Sequence, residues 1–198
     1  MRELVGCRSF LDLGCGQTSP ITRIKHRHNV YGVGLDVHLP SLLGSKRYGN
    51  FQDYVLADVR KLPFKDDSFE TVVALDVIEH LSKIDGQRLI TDMERIGRKK
   101  TIIFTPNGYN PKKHLEDGNP YQVHKSGWTV DELLSLGYVV FGINSIRAFR
   151  GERATIIVRP LLFGDIISTL SDKLVYHFPS LAFQLLCIKY GSRSSQAY

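Results

Sequence analysis

Apolar residues in this chain gather in short unbroken runs, and between the runs lie segments where they recur at helical spacing. Ser9–Leu13, apolar but for Ser9 and Asp12, reads as a buried strand feeding directly into the glycine-rich turn Gly14-Cys15-Gly16. A helix is expected from Ser19-Pro20 to His28, with Arg23, Lys25 and Arg27 on its outer side, and a second strand over Val30–Val37. Leu39-Pro40-Ser41-Leu42-Leu43 opens a short helix, Tyr54–Ala57 is a third strand, and Leu62–Phe69 is rich in turn formers (Pro63, Asp66, Asp67, Ser68). Thr71–Leu75, β-branched and apolar, has the composition of a central parallel strand. Leu89, Ile90, Met93 and Ile96 share one face of a helix over Lys83–Arg98, whose basic end Arg98-Lys99-Lys100 would offset the helix dipole. Thr101–Thr105 is a fifth strand, and the polar stretch from Tyr109 to Trp128 is a long loop of the kind that carries function. Thr129–Gly137 is a helix opened by a capping box of Thr129 and Glu132. Tyr138–Ile143 and Ala154–Val158 are expected to close the sheet as an antiparallel hairpin turning at Arg150–Arg153. Leu161–Tyr190 is apolar and helical in tendency, interrupted at Pro179, and Gly191–Tyr198 is a polar, disordered tail. Strands alternating with helices predict an α/β domain over residues 1–160, followed by a helical extension over 161–190 and the tail over 191–198.

Glycines at 14 and 16 let the backbone bend tightly and leave no side chain between it and a ligand. Such a turn, between a strand and a helix, is where an open α/β sheet receives a nucleotide-like molecule. The dinucleotide pattern G-x-G-x-x-G is not met, because Ser19 stands where the third glycine would be. Asp12, two residues before Gly14, would repel a pyrophosphate and attract an ammonium group. The turn therefore points away from NAD and toward a positively charged, phosphate-poor ligand.

Composition narrows the setting further. With 42% hydrophobic and 23% charged residues among 198, the chain is globular and long enough for one full core. A net charge of +6 mildly favours an anionic partner such as nucleic acid or a membrane surface. Cys7, Cys15 and Cys187, odd in number and widely spaced, form neither a disulfide framework nor a zinc pattern, so a reducing compartment is expected. The N-terminus has no apolar secretory run, and no segment reaches the ~20 unbroken apolar residues of a membrane span. The expectation is a cytoplasmic protein, with peripheral membrane contact open to the apolar, aromatic extension.

The stretch Asp12-Leu13-Gly14-Cys15-Gly16 resembles the first motif, D-x-G-x-G, of the class I S-adenosylmethionine-dependent methyltransferases. The resemblance continues through Gly34-Leu35-Asp36, Ala57-Asp58-Val59 and Ala74-Leu75-Asp76-Val77-Ile78-Glu79-His80, and covers about residues 9 to 160. It implies a Rossmann-like seven-stranded methyltransferase sheet, parallel with a terminal antiparallel hairpin, plus C-terminal helices. It also implies S-adenosyl-L-methionine as cofactor, held by Asp12, Gly14, Cys15, Gly16, Asp36, Val37, Asp58, Val59 and Leu75. In that family the Asp36 position accepts the ribose hydroxyls, Val37 lies against adenine, and Asp58 with Val59 holds the adenine edge. Only eight residues precede the first strand, where the family usually carries covering helices, so either this chain is shortened or another segment covers the cofactor.

Methyl transfer to oxygen needs a proton acceptor, and His80, His124 and Asp76 are the candidates at the sheet's carboxyl edge. Asp76, Glu79, His80 and His124 could together hold Mg²⁺ or Mn²⁺, which would orient and acidify a pair of substrate hydroxyls. That set resembles the E-x-x-E-H and downstream H-x-x-x-W of RNA 3′-terminal 2′-O-methyltransferases, with Asp76 one methylene shorter than the first glutamate. Three functions follow: O-methylation of a small or lipid-like acceptor, which is favoured; metal-dependent RNA 2′-O-methylation; and a non-catalytic cofactor-binding subunit. The RNA reading would need Lys112, Lys113, Lys125 and Arg147 along the cleft, and no aromatic platform interleaves those charges.

Overall fold

The computed structural model describes residues 7–21, 30–111, 119–149 and 171–191. Its strands are β1 (Ser9–Leu13), β2 (Tyr31–Asp36), β3 (Asp53–Leu56), β4 (Phe69–Leu75), β5 (Gly97–Pro106), β6 (Val139–Ile146) and β7 (Ala182–Tyr190). Its helices are α1 (Leu39–Arg47), α2 (Lys83–Ile96) and α3 (Val130–Ser135), and residues 171–177 are also helical. The seven strands pair in the order β3-β2-β1-β4-β5-β7-β6. The chain divides into two compact units, the first made of Met1–Ile78, Ile84–Ile102 and Tyr190–Tyr198, the second of Glu79–Lys83 and Ile103–Lys189.

In the first unit β1 pairs in parallel with β2 (Ser9 opposite Tyr31, Leu13 opposite Leu35) and with β4 (Phe10 opposite Thr71, Leu13 opposite Ala74). β2 continues in parallel to β3. Strands buried on both faces read as unbroken apolar runs, and Leu11, Leu13, Leu35, Val72, Val73 and Ala74 are accordingly sealed from solvent. Helix α2 buries Leu89, Ile90, Met93 and Ile96, the stripe its 3.6-residue period marks out. Chain order reverses between β1 and β4, and the crevice outside the carboxyl ends of such neighbouring strands is where open α/β sheets bind ligands.

The basic run Arg98-Lys99-Lys100 is not at a helix end: α2 stops at Ile96, and the run lies in β5. Its charge is used across the sheet. Burial would raise the Glu70 carboxyl, but Arg8 N–H, Lys99 and Arg98 hold it down to about 2. An almost sealed carboxylate of this kind needs cationic partners, and a strand supplies two of them.

In the second unit β6 and β7 pair antiparallel (Val139 opposite Ile188, Ile143 opposite Gln184), with an irregularity between Ile143 and Ile146. Asn144 and Ser145 absorb it at φ 62° and 58°. β7 corrects the sequence expectation, which assigned 182–190 to a helical extension. The strand buries Ala182, Phe183, Leu185, Cys187 and Ile188, with Gln184 and Lys189 less covered. Its apolar residues, which mix Leu185 and Leu186 with the strand formers Phe183, Ile188 and Tyr190, suit either state, and pairing with β6 decides it. The strand expected at Ala154–Val158, most of the helix expected after Ser19, and the tail after Gly191 lie outside the described residues. Helix α3 has the full capping box between Thr129 and Glu132, and Gly137 follows it at φ 83°. Leu174, Tyr176, Phe178 and Leu181 are exposed, with Tyr176 stacked on Phe141. No helix among the described residues is long and apolar enough to cross a membrane.

Candidate functional site

The residues expected around the cofactor all fall in the first unit. Gly14 and Gly16 both have positive φ (65° and 58°), the region glycine enters without steric cost. A Cβ on Gly14 would stand 2.7 Å from Val77 Cγ2, so this position is closed by packing. A Cβ on Gly16 would meet nothing within 4 Å, so this glycine borders open space that a ligand can enter. Asp36, at the end of β2, locks the turn in place: Gly16 N–H donates to Oδ2 (2.8 Å) and His38 N–H to Oδ1 (2.7 Å). Cys15 N–H donates to Leu35 O (3.0 Å), and the Cys15 thiol is buried, which pushes it far above its ordinary value. Cys15 thus meets a ligand through its backbone at most.

Asp12 is buried on β1 at 1% exposure, and among the described residues its Oδ2 has no hydrogen-bond partner. Burial pushes its carboxyl up to about 7, Ser19 partly opposes this, and the nearby Asp36 adds to it. An unmet acceptor beneath a glycine turn is what an incoming cationic donor would satisfy, so these residues fit an ammonium-bearing cofactor.

A raised carboxyl favours the folded state below the unfolded value, and that contribution is lost as pH climbs through the folded one. Between pH 4 and 7 Asp12 should therefore cost the ligand-free protein roughly 4 kcal/mol, three units at ~1.36 kcal/mol each. Denaturant titrations of wild type and Asp12→Asn at pH 5 and pH 8 check this. Wild type should weaken relative to the variant, and parallel curves would show that ionising Asp12 costs nothing.

Val37, Val59 and Leu75 are half-buried at the ends of their strands or just after them. Asp58 is less available than the sequence suggests. Arg60 donates from Nε to both carboxylate oxygens (3.0 and 2.9 Å), from Nη2 to Oδ2, and from its backbone N–H to Oδ1 (2.9 Å). The Arg60 hydrogen bonds hold the Asp58 carboxyl below its ordinary value despite some burial. Asp58, Arg60, Lys61, Asp85 and Arg88 line a cavity of about 490 Å³. Asp76 is exposed with φ 53°, a left-handed conformation that aspartate tolerates better than most residues.

The remaining candidates fall in the second unit. Glu79 is buried: its Oε2 accepts from Thr105 Oγ1 (3.1 Å), and its carbonyl accepts from Lys125 N–H (2.8 Å) and Ser126 N–H (3.1 Å). His80 donates from Nδ1 to Val123 O (3.2 Å), and His124 donates from Nδ1 to Asn110 O. The two imidazoles stand edge to face with centroids 4.8 Å apart. A proton on each Nδ1 places the neutral ring's lone pair on Nε2. Ligand atoms of Glu79, His80 and His124 lie within 4.8 Å of one another, a set that could hold a metal ion, and Asp76 is not in it. Among the described residues the expected four-donor cluster is thus a three-donor cluster.

Four further residues shape this half; Asn107, Thr105 and Lys83 were not singled out from sequence as parts of the site, and Arg147 was named only as a charge the RNA reading would need. Asn107 donates from Nδ2 to Ala182 O (3.0 Å), Ser180 O (3.1 Å) and Pro179 O (3.3 Å). Thr105 holds Glu79. Lys83 donates to Gly127 O, pairs with Glu132 at 2.8 Å and lies 3.8 Å above the buried Trp128 ring. Arg147, which the RNA reading would need along the cleft, donates to Asn107 O and Tyr109 O. The only sequence signal was Pro106-Asn107-Gly108 closing β5, a spacing that marks a turn without naming its partners. Lys125 is exposed, and Lys112 and Lys113 lie outside the described residues.

Residues 11–105 match the family described as a methyltransferase domain. An uncharacterized protein of Methanocaldococcus jannaschii is 30% identical over 138 residues, covering 69% of this chain and 57% of that protein. The chain thus spans just over half the length of that curated relative. A methyltransferase of Haloferax volcanii, solved in complex with the Trm112 methyltransferase activator, is similar at a TM-score of 0.60 and 17% identity, covering 95% of this chain and 86% of the other. A SAM-dependent methyltransferase of Archaeoglobus fulgidus gives a TM-score of 0.57 and 18% identity, covering 96% and 94%. At such identities the two structures show a shared fold.

Proposed function

Taking as premise that this chain belongs to the class I S-adenosylmethionine-dependent methyltransferases, we propose that it moves the sulfonium methyl of S-adenosylmethionine to a hydroxyl of a small or lipid-like acceptor. The observation that carries the cofactor half is the turn of Gly14 and Gly16 latched by Asp36 above the buried Asp12. Bound there, the cofactor supplies an electrophilic methyl on positively charged sulfur. Gly16 lets it approach the backbone, Asp36 accepts its ribose hydroxyls with the lone pairs its amide bonds leave, and Asp12 answers its ammonium group. Asp58 reaches adenine only if it shares its carboxylate with Arg60, and Val37 and Val59 supply apolar contact.

On the acceptor side, Nε2 of His124 or His80 takes the hydroxyl proton as the oxygen becomes nucleophilic. The bound cofactor would supply the methyl for that oxygen, and the imidazole would hold the hydroxyl proton until solvent removes it.

One observation favours a second reading. Two imidazole nitrogens and one carboxylate among Glu79, His80 and His124 suit Mn²⁺ better than Mg²⁺, which prefers oxygen alone. A cation there would orient and acidify two neighbouring hydroxyls, such as those of a terminal ribose.

Calorimetric titration of S-adenosylmethionine, with and without Mn²⁺, tests both. Micromolar binding is expected, and absence of binding would sink the cofactor assignment. A separate Mn²⁺ heat that vanishes in His124→Ala would favour the metal reading; no such heat favours the base alone. Cofactor binding without transfer to any hydroxyl would instead indicate a binding subunit. The Haloferax neighbour makes an added activator subunit the natural control.

A further inference from the structure

His124 matters in either reading through the same atom, so what fixes that atom matters too. Its Nδ1–H donates to the carbonyl of Asn110, and the position of that carbonyl decides which ring nitrogen holds the proton and where Nε2 points. Asn110 ends the segment 107–110. Its first two residues are anchored by Asn107 N–H to Phe183 O (3.0 Å), by the Asn107 amide to the Pro179, Ser180 and Ala182 carbonyls, and by Gly108 N–H to Trp128 O (2.7 Å). Arg147 closes the other side. One guanidinium nitrogen donates to Asn107 O and the second to Tyr109 O (3.3 Å), so a single planar fork spans the carbonyls on either side of Gly108.

The surroundings are built to that fork. Gly108 has φ 75°, and a Cβ on it would stand 3.1 Å from Arg147 Nη1. A Cβ on Gly127 would stand 2.2 Å from Tyr109 N, so the segment is pressed between the guanidinium and the Gly127 backbone. Arg147 directly follows β6, a sheet strand and therefore a firm base for a side chain that must hold a loop. We infer that Arg147 is a positioning residue, which sets the tautomer and orientation of His124 by clamping the Asn107–Asn110 segment. A lysine could not do the same, since one ammonium lacks the planar pair of donors needed to span two carbonyls.

This inference rests on His124 being the working imidazole, yet its main readout needs no activity. Imidazole ¹⁵N spectra of the full chain at a pH where the rings are neutral would follow His124, with His80 as internal reference. Wild type should show the Nδ1–H form alone at His124. Arg147→Ala should show mixed tautomers there, His80 unchanged, and Arg147→Lys a smaller move in the same direction. In assays kcat should fall about 10- to 100-fold in Arg147→Ala with KM little changed, the usual cost of losing a supporting partner. An unaltered His124 signature in folded Arg147→Ala would overturn the inference. If that variant does not fold, an unaltered signature in Arg147→Lys would overturn it as well. A tautomer shift in a protein that transfers no methyl would leave the clamp standing and count against the base.

Discussion

Asp36→Ala should lower S-adenosylmethionine affinity by about 100-fold or more, because one carboxylate does two jobs. In the ligand-free protein it accepts the Gly16 and His38 amides at 2.8 and 2.7 Å. Without it those donors lose charge-assisted bonds worth roughly 1.5–3 kcal/mol each. The turn that places Gly16 beside open space then has no latch, and the ribose hydroxyls have no acceptor. A 100-fold loss is about 2.7 kcal/mol, well within what these two losses can supply. Asp36→Asn separates the jobs. An amide keeps one accepting oxygen but turns an NH₂ toward the other N–H, so the turn suffers even where the shape is kept. Calorimetry gives the affinities, and urea titration should show both variants less stable by about 2 kcal/mol. Wild-type affinity in a folded Asp36→Ala protein would remove Asp36 from the cofactor site.

That latch was half legible in the sequence. The glycine pair, the acid before it and the acid ending β2 are local signals, each explained by a backbone need at a strand end, and parallel pairing of β1 with β2 brings them together. The sheet's first five strands were legible for the same reason: β-branched or apolar runs bounded by turn formers. Where the reading went astray, the deciding interaction came from far along the chain. Residues 182–190 look helical until β6 pairs with them, and Arg98 and Lys99 look like a helix end until Glu70 draws them across the sheet. Asp58 is the local exception: Arg60, two residues on, holds its carboxylate through four bonds that the sequence alone does not announce. Arg147 entered the sequence reading only as a charge the RNA alternative would need, because a sequence shows the charge but not the two carbonyls it serves.

His124→Ala should reduce kcat by about 100-fold or more while leaving S-adenosylmethionine affinity within about twofold. The split is expected because the cofactor candidates all belong to the first compact unit, and His124, with its partners Asn110, Tyr109 and His80, belongs to the second. His80→Ala should cost a similar factor, and the double variant little more than either alone, since two imidazoles 4.8 Å apart act on one proton or one ion. Chelation separates those possibilities. If His80 and His124 act as bases, wild-type turnover survives a chelator and falls only with the substitutions. If Glu79, His80 and His124 hold a cation, turnover falls with the chelator, returns with Mn²⁺, and Glu79→Gln behaves like His124→Ala. Glu79 discriminates well because its carboxylate is buried against Thr105, where a glutamine can still accept that hydroxyl's bond but brings no charge to a metal. A His124→Ala protein with full turnover would leave both accounts without their central atom, and the acceptor proton would have to leave by way of solvent or the exposed Asp76.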